Sequence, residues 1–202
     1  MLRLPLLDLG NVILKVNFEP FFQWVVENSE TKDPLKIKSF LSSSLFFDYE
    51  FGNIDRKEFI ARTEKLFRGH FPATDFEHRF CDIFPGYVDG MQAAIENLLQ
   101  NGPVYCLSNT NELHLSAVRE RFPLLNQLSK IFASHEIRKR KPYPGIYREV
   151  ANSLALQPRS LVFFDDLSSN IYGAERAGLE SHLFINAEHL LSTMKQNPKE
   201  ET

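Results

Sequence analysis

Residues 2–11 read Leu2-Arg3-Leu4-Pro5-Leu6-Leu7-Asp8-Leu9-Gly10-Asn11. The run is mostly apolar and ends in a turn that begins at an aspartate. A short continuous apolar run suits a strand covered on both faces of a parallel sheet, because a half-exposed strand would alternate. Pro5 is the one objection, since proline cannot donate to a ladder and prefers edges or strand starts. Two further runs repeat the pattern: Val104 to Leu107 ends at Ser108-Asn109, and Leu161 to Phe164 ends at Asp165-Asp166. Ile131 to Ser134 and His182 to Ile185 are the remaining strand candidates. Helical spacing fills the gaps, over 91–99, 112–122, 145–156, 170–177 (closed by Gly178) and 188–195. Strands alternating with helices predict an α/β fold with a Rossmann-like parallel sheet.

Between the first strand and Pro85-Gly86 the texture differs. Residues 18–28, 35–43, 56–67 and 75–84 carry apolar side chains at helical spacing, with Phe59, Ile60, Thr63 and Phe67 on one stripe. Breakers at Pro34, Gly52-Asn53, Gly69 and Pro72 separate them. This predicts a helical segment over residues 16–85, inserted after the first strand of a core made of 1–15 and 86–195. The polar tail 196–202 is expected to fray. Phe46, Phe47, Tyr49 and Phe51 fit either the core of the insertion or a wall against a substrate, and Trp24 fits its core.

Composition excludes several classes. The chain has 202 residues, 43% apolar and 24% charged, enough for a real core without disulfides. Twenty-three basic and 26 acidic residues sum to −3, so no global positive field draws nucleic acid. No run of about 18 apolar residues suggests a membrane span. The N-terminus carries one arginine, meets Asp8 at once and lacks a small-residue cleavage site, so it reads as a strand rather than a leader. Cys81 and Cys106 have neither metal-ligand nor redox spacing, which fits buried thiols in a reducing cytoplasm. The histidines at 70, 78, 114, 135, 182 and 189 show no zinc spacing. Nothing in the sequence fixes an oligomeric state.

Open α/β sheets bind ligands beyond the carboxyl ends of their strands. Asp8, Ser108, Asp165 and Asp166 all follow strand ends, and Arg138 to Lys141 follow the third strand. Carboxylates gathered on one rim repel unless a cation compensates them. The pattern points to a hard divalent cation, Mg²⁺ by preference, with Lys141 and Ser108 facing an anionic substrate. Asn170 fits a helix start as well as this site.

These residues resemble the haloacid dehalogenase-like hydrolases. Four motifs appear in the family's order: Asp8-Leu9-Gly10-Asn11-Val12, Leu107-Ser108-Asn109-Thr110-Asn111, Lys141-Pro142, and Phe163-Phe164-Asp165-Asp166 followed by Asn170. With Ile146-Tyr147 after the lysine, they are most similar to the bacterial α-D-glucose-1-phosphate phosphatases. The resemblance covers about 1–15 and 86–195, and residues 16–85 stand in the place of the family's cap. It implies a Mg²⁺-dependent phosphomonoester hydrolase acting on small sugar phosphates, with Asp8 as the nucleophile that forms an aspartyl-phosphate. Asp8, the Gly10 carbonyl and Asp166 would hold the metal, with Asp165 acting through water. Ser108, the Asn109 backbone and Lys141 would hold the phosphate, and Lys141 would also neutralise Asp8.

One position departs from the family. A second aspartate, the general acid and base, usually stands two residues after the nucleophile; here that residue is Gly10. General acid–base help is worth about 10²–10⁴-fold. The departure keeps open a catalytically weak or inactive phosphosugar-binding protein. A metal-independent dehalogenase fits less well, because the Asp165-Asp166 pair calls for a cation. A response-regulator receiver would place its acidic pair on the first strand rather than the fourth.

Overall fold

The computed structural model describes residues 3–196. Five strands make one sheet: β1 (Leu4–Leu7), β2 (Tyr105–Ser108), β3 (Lys130–Ala133), β4 (Leu161–Asp165) and β5 (Glu180–Leu183). Their spatial order is β3-β2-β1-β4-β5, and every pairing is parallel. The expected strand runs are all present, shifted by one or two residues. The chain builds outward from β1 to β2 and β3 on one side, then crosses to β4 and β5 on the other. The sheet therefore switches direction beside β1, where the carboxyl ends of β1, β2 and β4 diverge around a crevice.

Pro5 is accommodated by register. It aligns with Val162 of β4, but pairing with β2 starts only at Leu6. The proline thus lies beyond the end of one of the two ladders. Both faces of the sheet are covered. Leu7, Cys106, Ile131 and Phe164 pack against α6 (Met91–Asn101), α7 (Glu112–Arg121) and α11 (Ala187–Lys195). Leu6, Leu107, Phe132 and Phe163 pack against α9 (Pro144–Ser153) and α10 (Ser168–Glu175). That explains why the strands read as continuous apolar runs.

Between β1 and α6 lie five helices: α1 (Glu19–Asn28), α2 (Pro34–Lys38), α3 (Ser44–Glu50), α4 (Arg56–Phe67) and α5 (Ala73–Cys81). They enclose a separate aromatic cluster holding nine of the 18 phenylalanines, from Phe21 to Phe80. Trp24 packs against this cluster. Burying each such ring contributes roughly 1.5–3 kcal/mol, which gives a helical segment of this size a core of its own. The run read as one helix over 35–43 instead breaks after Lys38 into a 3₁₀ turn, Ser39–Ser42. Ser39 and Ser43 hydroxyls bond back to the carbonyls of Lys36 and Phe40, an alternative to helix continuation. Ser43 then caps α3 by accepting from the Phe46 N–H. The helix α8 (Ser134–Ile137) was not anticipated either.

At the far end, Arg3 pairs with Glu180 and donates to the carbonyls of Thr193, Met194 and Gln196. Gln196 is thus held rather than frayed; residues 197–202 of the expected tail lie outside the described residues.

The helix α10 approaches the loop after α8 so closely that a Cβ on Gly173 would meet the Pro142 carbonyl oxygen at 2.0 Å. That contact sets the position of the neighbouring Lys141, joined to Pro142 by a cis peptide bond. Gly173→Ala is expected to lower unfolding free energy by at least the roughly 1–3 kcal/mol typical of overpacking. A denaturation midpoint equal to that of the wild type would show that the approach is not tight.

Candidate active site

The ladder between β1 and β4 continues one residue past β1, where the Asp8 N–H donates to the Phe164 carbonyl at 2.9 Å. This fixes Asp8 at the rim beside Asp165. Lys141 reaches the same point from the loop before α9. Its Nζ lies 2.6 Å from Asp8 Oδ1 and 2.6 Å from Asp165 Oδ2. All three side chains are buried. The lysine's backbone is clamped by Asn109: its N–H donates to Asn109 Oδ1 (2.9 Å), and its carbonyl accepts from Asn109 Nδ2 (3.0 Å). Asn109 therefore commits its side chain to placing Lys141 and leaves its backbone for other work.

Asp165 is fully enclosed. Its carboxylate accepts from the Leu167 N–H, from Asn170 Nδ2 on both oxygens, and from Lys141. Asn170 sits in the first turn of α10, but its side chain turns to the site rather than capping the helix. The Tyr147 hydroxyl donates to the Asn170 carbonyl at 2.8 Å, locking it from behind. Asp166, half-buried, turns the other way and meets Asn11 Nδ2 at 3.4 Å. Asn11 is held in the left-handed region at φ +56° and accepts from the Val16 N–H.

Oxygens of Asp8, Asp165 and Asp166 all lie within 4.8 Å of one another, a set that could hold a metal ion. Three carboxylates against one ammonium leave this cluster formally anionic, so its charge and its oxygen-only chemistry both fit a hard divalent cation. Burial pushes the Asp8 carboxyl up to about 7, and Asp165 pushes the same way, although Lys141 pulls it down. Burial also raises Asp166, helped by its neighbour Asp165. Desolvation pulls Lys141 down, but the two carboxylates outweigh it and hold the ammonium above its ordinary value.

Asp8, Lys141 and Asp166 lie on the floor of a cleft of about 340 Å³, while Asp165 is enclosed and does not line it. Gly10 and the buried Ser108 also line the cleft. Phe18, Leu41, Phe46, Phe47 and Glu50 from the helical segment form the opposite wall. Of the aromatics left open between core and wall, Tyr49 is buried and stacked on Phe59, whereas Phe46 and Phe47 reach the cleft. Glu50 and Arg140 were not singled out from sequence. Their signal was weak, a lone glutamate on a helix and one residue of a basic run. They meet at 3.3 Å across the cleft wall. Burial pushes Glu50 up to about 7 against the pull of Arg140 and Lys141.

His114 also lines the cleft, yet both ring nitrogens are taken. Nδ1 accepts from Asn111 Nδ2, Nε2 donates to the Phe80 carbonyl, and burial drops the ring to about 4. It is a neutral packing group. Cys81 and Cys106 are free thiols, and burial raises both, Cys81 to about 12. No helix among the described residues is long and apolar enough to cross a membrane.

Comparison with known proteins gives the family and agrees with the fold. The haloacid dehalogenase-like hydrolase family matches over residues 6–178. D-Ribitol-5-phosphate phosphatase of Bacteroides thetaiotaomicron is 23% identical over 187 residues, covering 90% of this chain and 91% of that protein. Some relatives are longer: the chain is 25% identical over 190 residues to a drimenol cyclase of Aspergillus calidoustus but spans 34% of it. A haloacid dehalogenase family enzyme from Bacteroides thetaiotaomicron superposes with a TM-score of 0.86 at 20% identity, over 96% of this chain and 99% of that one. Its complex with magnesium and inorganic phosphate gives a TM-score of 0.81 at 21% identity, over 91% of this chain and 94% of that one.

The buried pair separates the two adjacent aspartates. Asp165→Ala is expected to cost about 3–5 kcal/mol of stability, because it strips a buried ammonium of one partner. Asp166→Ala should cost less than about 1 kcal/mol, since it removes a half-buried group and relieves repulsion. Urea denaturation of both variants checks this, and equal losses would contradict the assignment.

Proposed function

The chain belongs to the haloacid dehalogenase-like hydrolases, and on that premise we propose that it is a Mg²⁺-dependent phosphomonoester hydrolase acting on small sugar or polyol phosphates. The observation that carries this reading is the Lys141 ammonium held 2.6 Å from both Asp8 and Asp165, beside a third carboxylate. Residues 1–15 and 86–195 form the catalytic core, and 16–85 the cap. A cytoplasmic setting suits the two free thiols. The named relative supports the substrate class, as its name is that of a pentitol phosphate phosphatase rather than a glucose 1-phosphate phosphatase. The resemblance to α-D-glucose-1-phosphate phosphatases therefore extends to the reaction, with the sugar set by the cap.

Asp8 is the nucleophile. Its Oδ1 is engaged by the Leu9 N–H and Lys141, which leaves Oδ2 as the attacking atom. Oδ2 bonds to phosphorus as the ester P–O bond breaks, and the leaving oxygen departs with its electron pair and takes a proton from water, since no acid stands at position 10. Water then cleaves the aspartyl-phosphate, returning Asp8 and releasing inorganic phosphate. Lys141 and the Ser108 hydroxyl hold phosphate oxygens, with the Asn109 backbone N–H beside them. Asp8, Asp166 and the Gly10 carbonyl would hold Mg²⁺, which supplies charge neutralisation for phosphate and nucleophile when bound. Asp165 anchors Lys141 and acts on the metal indirectly. Two anions must meet in this attack, so the ammonium is needed whether or not the leaving group is good.

Asp8→Asn keeps volume and removes the nucleophile, so turnover of an aryl phosphate in Mg²⁺ should vanish while the fold persists by circular dichroism. Retained activity would remove Asp8 from this role. Asp166→Ala should raise the Mg²⁺ concentration needed for half-maximal rate.

The missing acid at position 10 makes a second test. Rates should depend steeply on leaving-group acidity, with aryl and anomeric phosphates ahead of primary alkyl phosphates. A Cβ at Gly10 would meet Val16 Cγ2 at 3.2 Å, so Gly10→Asp needs Val16 to give by a few tenths of an ångström. Gly10→Asp should help poor leaving groups most, by no more than the roughly 10²–10⁴-fold that general acid–base catalysis supplies. The repulsion it adds beside Asp8 will cut that gain. Turnover across esters of graded leaving-group pKa reads this out, and a flat wild-type series would mean that another group already donates the proton.

A further inference from the structure

Glu50 Oε2 and Arg140 Nε are buried in the cleft wall without a hydrogen bond. They belong to one ion pair, with Arg140 Nη2 3.3 Å from Glu50 Oε2. The two residues arrive from opposite sides. Glu50 ends α3, where its carbonyl accepts from the Ser134 hydroxyl of the core at 2.8 Å. Gly52, two residues on, sits so close to α8 that a Cβ would meet the His135 carbonyl oxygen at 2.5 Å. Arg140 directly precedes Lys141, and its guanidinium lies over the Phe47 ring, 4.2 Å from the centroid. Both residues line the cleft floored by Asp8 and Lys141.

A buried ion pair with unsatisfied facing atoms is a poor stabilising device, because desolvation offsets its attraction. The same arrangement is well made for a ligand. The guanidinium and the carboxylate keep 20% and 10% of their side-chain surface exposed, and one donates where the other accepts, which is what a hydroxyl needs. The charges oppose each other, so a second anionic group gains little from Arg140 and is repelled by Glu50. Phe18, Leu41 and Phe46 supply apolar surface beside it for the C–H faces of a carbohydrate chain.

We propose that Glu50 and Arg140 are the specificity-determining pair for the leaving group, binding a neutral polyhydroxylated chain in preference to a plain alkyl chain or one bearing a second anion. This rests on the phosphomonoesterase reading above. A site built to hydrogen-bond a hydroxyl discriminates against the analogue lacking it, since the site's own groups are then left unpaired.

The test compares kcat/KM for three five-carbon esters: a pentitol phosphate, pentyl phosphate and a pentitol bisphosphate. The wild type should prefer the pentitol phosphate over both others. Glu50→Gln and Arg140→Gln should each cut the pentitol-to-pentyl ratio by roughly 10- to 100-fold, the range for a hydrogen bond to a charged group. The change should fall mainly in KM. The double variant removes both charges together, so it keeps the test alive if a single variant unfolds, and it should lose the same preference. Equal losses on all three esters would mean that the pair is only a latch between α3 and the core or a general acid, and would overturn the proposal. A wild type preferring the bisphosphate would also overturn it. A wild type that cleaves none of the three, nor an aryl phosphate, would instead sink the hydrolase reading and this proposal with it.

Discussion

One ammonium group organises this molecule. Lys141 Nζ touches Asp8 at the end of β1 and Asp165 at the end of β4, and is almost wholly buried. A charge so enclosed would be untenable alone, since each desolvated ion costs several kcal/mol. It persists because every neighbour is committed to it. Asn109 grips its backbone from β2, Asn170 and the Leu167 N–H satisfy Asp165, and Tyr147 secures Asn170. Gly173 must lack a side chain for α10 to come near enough. Four segments distant in sequence thus converge because the parallel sheet ends where they do.

The helical segment solves a different problem. Its phenylalanine core is closed on the sheet side by Leu113 of α7, so the wall is built largely from its own side chains and seated on the core. The junction between α3 and α8 is the attachment that matters for chemistry. There Ser134 accepts from the Thr110 N–H and lies within hydrogen-bonding distance of the Glu50 and Thr110 carbonyls, coupling the wall to the β2 loop.

The sheet was legible because burial on both faces leaves an unbroken apolar run, and the run ends where the chemistry begins. Asp8, Ser108, Asp165 and Asp166 were readable for that reason, whereas Lys141 stands out of its basic run only through the Pro142 that follows it in the family's pattern. Pro5 looked like an objection because one strand cannot reveal that its neighbour starts a residue later. The α3 helix was hidden by its shortness, under two full turns, where propensity carries little weight. Glu50 and Arg140 are separated by 90 positions in sequence, and only the fold makes them a pair. Asn170 was ambiguous between helix start and site, and the side chain's two bonds to Asp165 decide it.

Gly10 gains a physical rationale from the same charge balance. The rim already carries three carboxylates against one ammonium, and burial drives Asp8 toward its protonated form. A fourth carboxylate two residues from Asp8 would push it further that way, and would repel an incoming phosphate dianion. Its absence lowers the protein's ability to protonate a leaving group but favours the ionised nucleophile. Such an exchange suits a substrate whose leaving oxygen is acidic, or one whose hydroxyls are gripped elsewhere in the cleft. Glu50 and Arg140 lie together in the wall of the same cleft. The loss of an acid at position 10 and the presence of an unsatisfied pair in the wall are then two consequences of one division of labour. On the proposed reading, the floor carries the charge of the phosphate and the wall the recognition of what leaves.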